Sequence, residues 1–386
     1  MDSGNVPAKE NFKGAKGLDA LLGGSNFDVC EYIILKVLRE LSQTRVTLGM
    51  LCKTHVARNV IEHAWRTSIP VSKAALYEID AMRWFGASVD ACWFVVEVDT
   101  SVESRNYVAD VFKSLDSDAK SHSFGVVDGK WVSDVDAYTE NAAADTKCTY
   151  EWRSGMKHDA SAVFELVATP EPKSKTGQSV DVEEEFLYPL LKSTDIFRGR
   201  HEQLSKWVIV PQKKFGDETE TLRKDAPRLW EYLDSHGPLL DGRKSSIYRN
   251  RPRFSVFGHG DYTYAPYKVA VSGLHKEPVF RLVGPMAEKP VVLDDTCYFL
   301  PFQDPAEAAL VWALLSSDQG QAFIESLVFW DSKRPITKKL LARLDVWRLA
   351  ADRQAVLHAA VTAMKQLHLA VEEQQIVAIL DKHPVQ

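Results

Sequence analysis

Two adjacent aromatic residues, Trp84 and Phe85, lie between two apolar runs with the length and composition of β-strands, Ala74–Ile79 and Val89–Val98. Phe85 begins the turn into the second run, so its ring can project over the end of a sheet, where ligands bind in α/β proteins. We therefore expect Phe85 to offer a flat face that stacks on a planar ligand. Trp84 is the alternative, because the sequence does not show which ring points inward, and both rings could instead cap the turn.

Two cations stand where a predicted strand, Arg45–Cys52, runs straight into a predicted helix, Val56–Trp65. Lys53 and Arg58 would lie beside the end of the strand and the opening of the helix, where backbone N–H groups and cations suit a phosphate. The alternatives are a plain surface lysine and an arginine that pairs with Glu62 one helical turn later.

These elements predict an α/β sheet with one irregular connection. The segment Asp80–Ser88 is about nine residues long, too short for a parallel crossover, so the last two strands must form an antiparallel hairpin. We expect this hairpin at the edge of an otherwise parallel sheet. Upstream, Val29–Leu41 carries apolar residues at helical spacing, and Asp28 is the expected N-cap.

Further elements follow from local patterns. Asp128-Gly129 within Phe124–Val132 predicts a tight hairpin. Helices are predicted near Pro227–His236, at Ala306–Ser317 and Gln319–Phe329, and in a helical C-terminus.

Charge is unevenly distributed along the 386 residues. The formal net charge of −6 argues against a simple basic coat for nucleic acids, yet residues 242–281 carry eight Lys and Arg against only Asp261 and Glu277. Such a local excess of positive charge suits a domain that holds a polyanion in a cleft, although an ordinary solvated face would have the same composition. The length predicts two to three domains.

The sequence gives no sign of a metal site, a disulfide framework or a membrane segment. Its five cysteines are widely spaced with no CxxC pair. Asp294 and Asp295 are adjacent, and neighbours on a strand point to opposite faces, so we expect a turn or a buried hydrogen-bond hub there. No secretory segment occurs and no apolar run approaches about eighteen residues, which predicts a cytoplasmic protein.

Several dispersed segments together resemble one family. Cys52–Arg58 is similar to the fifth-strand segment, and Ile79–Ala81 with Phe85–Cys92 to the final hairpin, of the adenine-N6 DNA methyltransferases of restriction–modification systems. Trp152–Asp159 resembles the entrance to their target-recognition domain. The runs that resemble that domain itself are Tyr188–Ile196, Trp207–Gln212, Arg243–Tyr248, Tyr264–Gly273 and Lys289–Phe299. The resemblance extends from about residue 5 to residue 350.

The resemblance implies a fold and a domain order. We expect the C-terminal part of a class I methyltransferase (Rossmann-like) sheet at 1–100, a linker at 101–123, an α/β DNA target-recognition domain at 124–350 and a C-terminal helix at 351–386. It also implies S-adenosylmethionine as the methyl donor of the complete enzyme, and double-stranded DNA as the partner. Phe85 would then stack on an adenine turned out of the duplex, with Trp84 as the alternative.

Two features of that family do not occur in the sequence. Leu22–Ser25 is the only early Gly-rich turn and follows no strand, and no Pro-Pro dipeptide of the Asn/Asp-Pro-Pro-aromatic motif is present. Ser3–Pro7 and Phe12–Asp19 look like the loop that follows this motif. We therefore expect the chain to begin inside a catalytic domain and not to bind S-adenosylmethionine alone.

Three functional hypotheses remain open at this point. The chain could be the DNA-recognition half of a methyltransferase that works with an N-terminal half in trans. It could be a DNA-binding specificity module of a restriction system without catalysis of its own, for example one that serves a fused or separate nuclease. It could also be a relic with neither activity.

The resemblance also selects candidate DNA contacts. Lys192–Asp195 offers a cation, two hydroxyls and a carboxylate, and Arg243–Arg249 alternates cations with hydroxyl and aromatic groups. Both patterns suit phosphate contacts that fix the register on DNA, with a minority of side chains reading base edges. The candidates in the whole chain are Lys53, Arg58, Lys192, Ser193, Arg243, Lys244, Ser246, Tyr248, Arg249 and Lys268.

Overall fold

The computed structural model describes residues 28–101, 105–214, 216–332, 334–369 and 372–383. It shows a mixed α/β protein, as predicted, divided into two units, Met1–Glu140 and Asn141–Gln386. The described residues form one sheet of six strands in the first unit and two sheets of four strands in the second. The Gly-rich turn at Leu22–Ser25 and the loop segments Ser3–Pro7 and Phe12–Asp19 lie outside the described residues.

The first unit has helices on a six-stranded sheet. Its described strands are β1 (Val46–Lys53), β2 (Val71–Ile79), β3 (Ala91–Val98), β4 (Val108–Phe112), β5 (His122–Val127) and β6 (Lys130–Val132). Its described helices are α1 (Val29–Glu40), α2 (Thr54–Thr67), α3 (Ala81–Phe85) and α4 (Val135–Asn141), the last of which crosses into the second unit. Asp28 caps α1 as predicted, because its carboxylate accepts the N–H of Cys30 at 2.9 Å.

Helix α2 is held by an apolar stripe. Val56, Val60, Ile61 and Ala64 recur every three or four residues and are fully buried. Full burial of a Val or Ile side chain contributes roughly 1.5–3 kcal/mol, so packing on the sheet, more than helix propensity, stabilises α2. The first N–H of α2, from Thr54, donates to the carbonyl of Asp90 at 3.0 Å and so ties the helix start to the strand beside it.

The strands of the first sheet lie in the order β1-β3-β2-β4-β5-β6. Strand β3 pairs antiparallel with β2, with Leu76 opposite Phe94, which confirms the predicted hairpin. The predicted edge position of the hairpin is wrong, and so is the otherwise parallel sheet, because β2 with β4 is the one parallel pair among the described strands of this sheet. β3 also pairs antiparallel with β1, and β2 pairs in parallel with β4, so the hairpin lies inside the sheet. Neighbouring strands in a sheet need not be consecutive in sequence, and the connection length fixed only the direction of pairing.

The predicted linker at 101–123 is also wrong, because it contains β4 and the start of β5. β4 is only five residues long and carries Asp110 at its centre, so it lacks the clear apolar alternation by which strands are recognised. The β5–β6 hairpin turns at Asp128 (φ 48°) and Gly129 (φ 73°), as the Asp-Gly pair predicted. Residues 124–132 therefore belong to the first sheet, and the sequence boundary between the two units falls at 140/141.

The second unit contains two smaller sheets and most of the helices. Its described strands are β7 (Arg153–Ser154), β8 (Glu165–Val167), β9 (Leu187–Leu191), β10 (Lys206–Ile209), β11 (Tyr267–Ser272), β12 (Phe280–Val283), β13 (Val292–Leu293) and β14 (Cys297–Phe302). Its described helices are α5 (Ser161–Phe164), α6 (Ser193–Phe197), α7 (Leu222–Asp225), α8 (Pro227–Ser235), α9 (Gly237–Asp241), α10 (Pro305–Ser316), α11 (Asp318–Leu327), α12 (Lys338–Leu341), α13 (Arg353–Gln366) and α14 (Glu373–Lys382). The sheets have the orders β13-β9-β10-β8 and β12-β11-β14-β7.

A shared apolar core joins these two sheets. Leu191 and Leu293 come from the sheet β13-β9-β10-β8, and Ala270 and Phe299 come from the sheet β12-β11-β14-β7. All four are buried in one cluster. The predicted C-terminal helix is two helices in the described residues, α13 and α14. Val356, Ala360 and Met364 of α13 are buried and α13 packs on α10, so this segment is part of the second unit's core. Within the described ranges, no helix combines the length and apolar character needed to span a membrane.

Candidate functional site

The aromatic pair lies on a one-turn helix that the sequence analysis did not predict. Asp80 caps α3 by accepting the N–H of Arg83 at 2.9 Å, and Gly86 ends the helix in the left-handed conformation (φ 64°). An Asp six residues before a turn glycine, with helix formers between them, was the signal for this helix. The helix turns both rings outward, so that Trp84 is 65% and Phe85 60% exposed. They do not cap the hairpin by packing on it.

The two rings differ in their surroundings. The guanidinium carbon of Arg83 lies 5.1 Å from the centre of the Trp84 ring, which places a cation over that ring. In the described part of the chain no cation or aromatic ring covers Phe85. Single exposed apolar residues are common on protein surfaces, but Trp84 and Phe85 are adjacent and both are more than half exposed, which makes them an exposed apolar pair. Of the two, Phe85 therefore has the face that is open to a planar ligand.

Lys53 and Arg58 have different environments although they lie close in sequence. Lys53 ends β1, and its Nζ lies 3.0 Å from the carboxylate of Asp28 at the start of α1. Arg58 lies half-buried on α2, and the Glu62 carboxylate accepts a hydrogen bond from Arg66 at 2.6 Å. A phosphate at Lys53 would compete with the Asp28 carboxylate, which makes this the weaker of the predicted anion sites.

Lys192 belongs to a buried charge cluster centred on Glu165. The Glu165 side chain is 4% exposed, and Nζ atoms of Lys192 and Lys175 lie 2.8 and 3.0 Å from its two oxygens. His158 adds a third contact at 3.3 Å. We call Glu165, His158, Lys175 and Lys192 the Glu165 cluster. Its place between β8, β9 and the preceding loops indicates that it holds these segments together.

The protonation states in the Glu165 cluster follow from its geometry. Nδ1 of His158 accepts the N–H of Ala160 at 3.2 Å, so Nε2 carries the proton and donates to Glu165. Burial opposes ionisation of Glu165, but hydrogen bonds from His158, Lys192 and Lys175 outweigh it and hold the pKa of the carboxyl well below its ordinary value. Glu165 is therefore a carboxylate, and Lys192 is its counter-ion.

Ser193 does not reach the surface. It is 4% exposed at the first turn of α6, where the carboxylate of Asp195 accepts the N–H of Lys192 at 3.1 Å. The predicted DNA contact at Ser193 is wrong, because the hydroxyl that the sequence placed beside a cation faces the protein interior. The Lys192 side chain is 33% exposed and is shared with Glu165, so any anion would compete with that carboxylate.

Arg243 is an internal anchor. Its guanidinium donates to the carbonyls of Leu240, His158 and Ser255 at 2.9, 3.1 and 2.7 Å. Its Cζ lies 3.8 Å from the ring centre of Tyr248. Three of the five guanidinium N–H donors of Arg243 are therefore used by the protein backbone, so the structure gives Arg243 an anchoring role that competes with the predicted DNA contact.

Tyr248 is a half-buried residue in a mostly exposed loop that is rich in cations. Its hydroxyl donates to the carbonyl of Lys157 at 3.1 Å, so its polar end is also occupied. We call residues 244–251 the basic loop. Lys244, Ser246 and Arg249 of this loop are exposed, and no ion pair engages either cation in the part of the chain that the structure describes. These three are the predicted DNA contacts of this loop that remain accessible.

Lys268 is fully buried in β11, which contradicts its predicted contact with DNA. Its Nζ donates to the carbonyl of Ala265 at 2.5 Å, and burial lowers the pKa of the amine to about 7. Nearby, Arg253 is neutralised by Asp234 and Asp241 at 2.5 and 3.1 Å. The basic field of residues 242–281 is thus weaker at the surface than its composition indicates.

The adjacent acids Asp294 and Asp295 behave as predicted for a hub. Asp294 is 7% exposed, and its carboxylate accepts hydrogen bonds from the N–H and hydroxyl of Thr296 at 3.2 and 2.5 Å. Burial raises the pKa of Asp294. Within the described ranges no group of three or more His, Cys, Asp and Glu side chains could hold a metal ion.

Comparisons with known proteins give one strong match. No family model matches the chain. A protein described as type II methyltransferase M.NspV, from Nostoc sp., is 39% identical over 352 residues, which is 91% of this chain and 73% of the relative.

A solved structure gives a weaker match. It is described as a type IIL restriction-modification enzyme, MmeI, in complex with DNA, and it matches with a TM-score of 0.45 and 10% identity. The match covers 95% of this chain and 54% of that one, so the chain spans about half of the solved protein. This likeness is too weak to establish a shared fold.

Proposed function

Because the chain belongs to the family of type II methyltransferases, we propose that it recognises double-stranded DNA for the methylation of a specific adenine at N6. The observation that carries this proposal is the 39% identity over 91% of the chain. We further propose that the complete enzyme uses S-adenosylmethionine and acts in a restriction–modification system with a nuclease as its partner.

The exposed ring on α3 supports a role in holding the target base. An adenine inside a duplex cannot reach a methyl donor, so it must be turned out of the stack and held by stacking and hydrogen bonds. Phe85 is 60% exposed, and the helix that carries it is fixed by the Asp80 cap and by Gly86. Phe85 is the residue that we propose stacks on the base.

We propose that the described residues do not themselves hold the methyl donor. A donor of this kind binds at a Gly-rich turn between a strand and a helix. The described junctions from a strand to a helix in the first unit are β1 to α2, β2 to α3 and β6 to α4, and none of them contains a glycine. In the first of them, Lys53 is paired with Asp28. We therefore propose that the donor is held by a segment outside the described residues, and we assign no methyl-transfer step to the described residues.

The first prediction concerns the donor. Titration of the full chain with S-adenosylmethionine by calorimetry should give no saturable heat, because no strand–glycine turn–helix is formed by the described residues. Saturable binding at micromolar donor would contradict this prediction and would place a complete cofactor site in the chain.

A DNA-binding specificity module without catalysis is the second candidate function. The same lack of a donor turn favours it, and it makes the same prediction for the donor titration. The two functions separate when an N-terminal methyltransferase half is added, because only the first then yields methylated DNA.

The second prediction concerns the basic loop. Replacing Lys244 and Arg249 together by alanine should flatten the plot of log affinity against log salt by roughly 1.8, because each lost phosphate contact removes about 0.9. Fluorescence anisotropy with a labelled duplex at several salt concentrations measures this slope. An unchanged slope would make the basic loop an ordinary surface.

Arg243→Ala provides the contrast to that double variant. It leaves three buried carbonyls without their charged donor, and hydrogen bonds to charged groups contribute roughly 1.5–3 kcal/mol each. We expect a lower thermal midpoint for Arg243→Ala and an unchanged one for the double variant. The comparison separates loss of the loop's anchor from loss of its charge.

A further inference from the structure

A second group of cations, which the sequence analysis did not single out, lies where α6 ends near the connection from β11 to β12. Arg198 and Lys276 are exposed, and Arg281 and His275 are half-buried. We call these four residues the basic ridge. Arg198 follows the last residue of α6, and the other three come from the β11–β12 connection and from β12.

Ring stacking fixes the two segments against each other. The rings of Phe197 and His275 are 4.0 Å apart and nearly parallel, at 9°. Nδ1 of His275 is also hydrogen-bonded to the hydroxyl of Ser272 at 2.6 Å. Arg198 follows one stacked ring and Lys276 follows the other, so both exposed cations belong to one rigid surface.

Arg281 is held in place by neutral groups. Its Nε donates to the carbonyl of Ile196 at 3.2 Å, and its guanidinium lies against Gly199, where a Cβ would come within 3.4 Å of it. Gly199 has φ 68°, a conformation that favours glycine. In the described part of the chain no carboxylate pairs with Arg281. Its charge is therefore positioned by the protein but not neutralised by it.

The acids near the basic ridge are few or already engaged. Asp195 is paired with Arg200 and Lys206, at 3.4 and 3.1 Å, and Glu277 is exposed beside Lys276. Burial lowers the pKa of His275, and the positive charge of Arg198 lowers it further. The surface therefore has an excess of positive charge on a fixed scaffold.

We propose that the basic ridge binds the phosphodiester backbone of DNA, as a contact surface additional to the basic loop. A guanidinium can bind two phosphate oxygens at once, and lysine adds a point charge. Such contacts position the protein on the duplex and carry no sequence information. This inference rests on the proposed function.

The test replaces the two exposed cations, which carry none of the packing of the ridge. The full chain with Arg198→Ala and Lys276→Ala is titrated with a labelled duplex at several salt concentrations, first with arbitrary sequences. We expect the log–log salt slope to fall by roughly 1.8 for the two lost contacts. The ranking of affinities among different duplex sequences should not change, and neither should the thermal midpoint.

The matched control is Lys365→Ala with Lys382→Ala. Both lysines are exposed on the terminal helices α13 and α14, so the control loses the same charge elsewhere. Its slope should stay at the wild-type value. Salt-dependent binding by the wild type with an unchanged slope in the Arg198/Lys276 variant would overturn the ridge and leave the proposed function standing. An equal fall of the salt slope in both variants would also overturn the proposal for the basic ridge. A wild type without salt-dependent binding would overturn both proposals.

Discussion

Phe85→Ala, assayed with a donor-binding half supplied in trans, should lower methylation of a duplex roughly 5- to 150-fold. Stacking of a base on an aromatic ring contributes roughly 1–3 kcal/mol, and the ring contributes only when a base is extruded onto it. Phe85 is 60% exposed, so its loss removes little packing and the thermal midpoint should stay near the wild-type value. The defect should appear in methylation and in binding of intact duplex.

A duplex with an abasic site at the target position is the control substrate. Phe85→Ala should bind it as tightly as the wild type does, because no base is present to stack. Trp84→Ala is the control variant, since its ring is 65% exposed and already lies under Arg83. A base-dependent defect in Trp84→Ala alone would reverse the assignment. The absence of a defect in both variants would place the extruded base in the trans-acting half.

Glu165→Gln should lower the free energy of unfolding by about 3 kcal/mol. Removing one partner of a buried ion pair destabilises by roughly 3–5 kcal/mol. The lower value is expected because the side chains of Lys175 and Lys192 are 46% and 33% exposed and can be hydrated. Urea unfolding at neutral pH measures the difference. Glu220→Gln, which removes an exposed pair with Arg223, should change the free energy of unfolding by less than about 1 kcal/mol.

The pH dependence of stability checks the same assignment independently. The folded-state pKa of Glu165 is lowered below the ordinary 4.5, so its contribution is complete above pH 4.5 and is lost as the pH falls below it. Wild-type stability should therefore decline below pH 4.5 more steeply than that of Glu165→Gln. Parallel declines would show that the carboxylate is not held by its three neighbours.

The sequence predicted elements with strong periodicity or strong end signals. The helices α1, α8, α10 and α11 and the antiparallel pairing of β2 with β3 follow from apolar spacing, caps and the length of one connection. Strand order does not follow from these signals, because it depends on which edges meet in space. The insertion of β3 beside β1 and the use of β4 in the sheet were therefore missed.

The candidate site was predicted only in part, because the accessibility of a side chain also depends on which parts of the chain meet in space. Lys244 and Lys268 are both lysines near aromatic residues, yet one is exposed and the other fully buried. Arg243 looks like a surface cation until its three carbonyl acceptors are seen, and one of these, from His158, lies 85 residues away along the chain. Burial and non-local hydrogen bonds separate anchoring cations from accessible ones, and neither is encoded in local spacing.

Each unit contains buried cysteines, so the alkylation of their thiols reports the unfolding of that unit. Cys52 and Cys92 face each other across β1 and β3 with their sulfurs 4.0 Å apart, and Cys148 and Cys297 are buried in the second unit. A thiol must become a solvent-accessible thiolate before it is alkylated, so reaction requires the surrounding structure to open. Mass spectrometry of alkylated peptides over time therefore follows the two pairs separately. Different rates for the two pairs would mean that the units unfold as separate cooperative bodies, and a common rate that they unfold together.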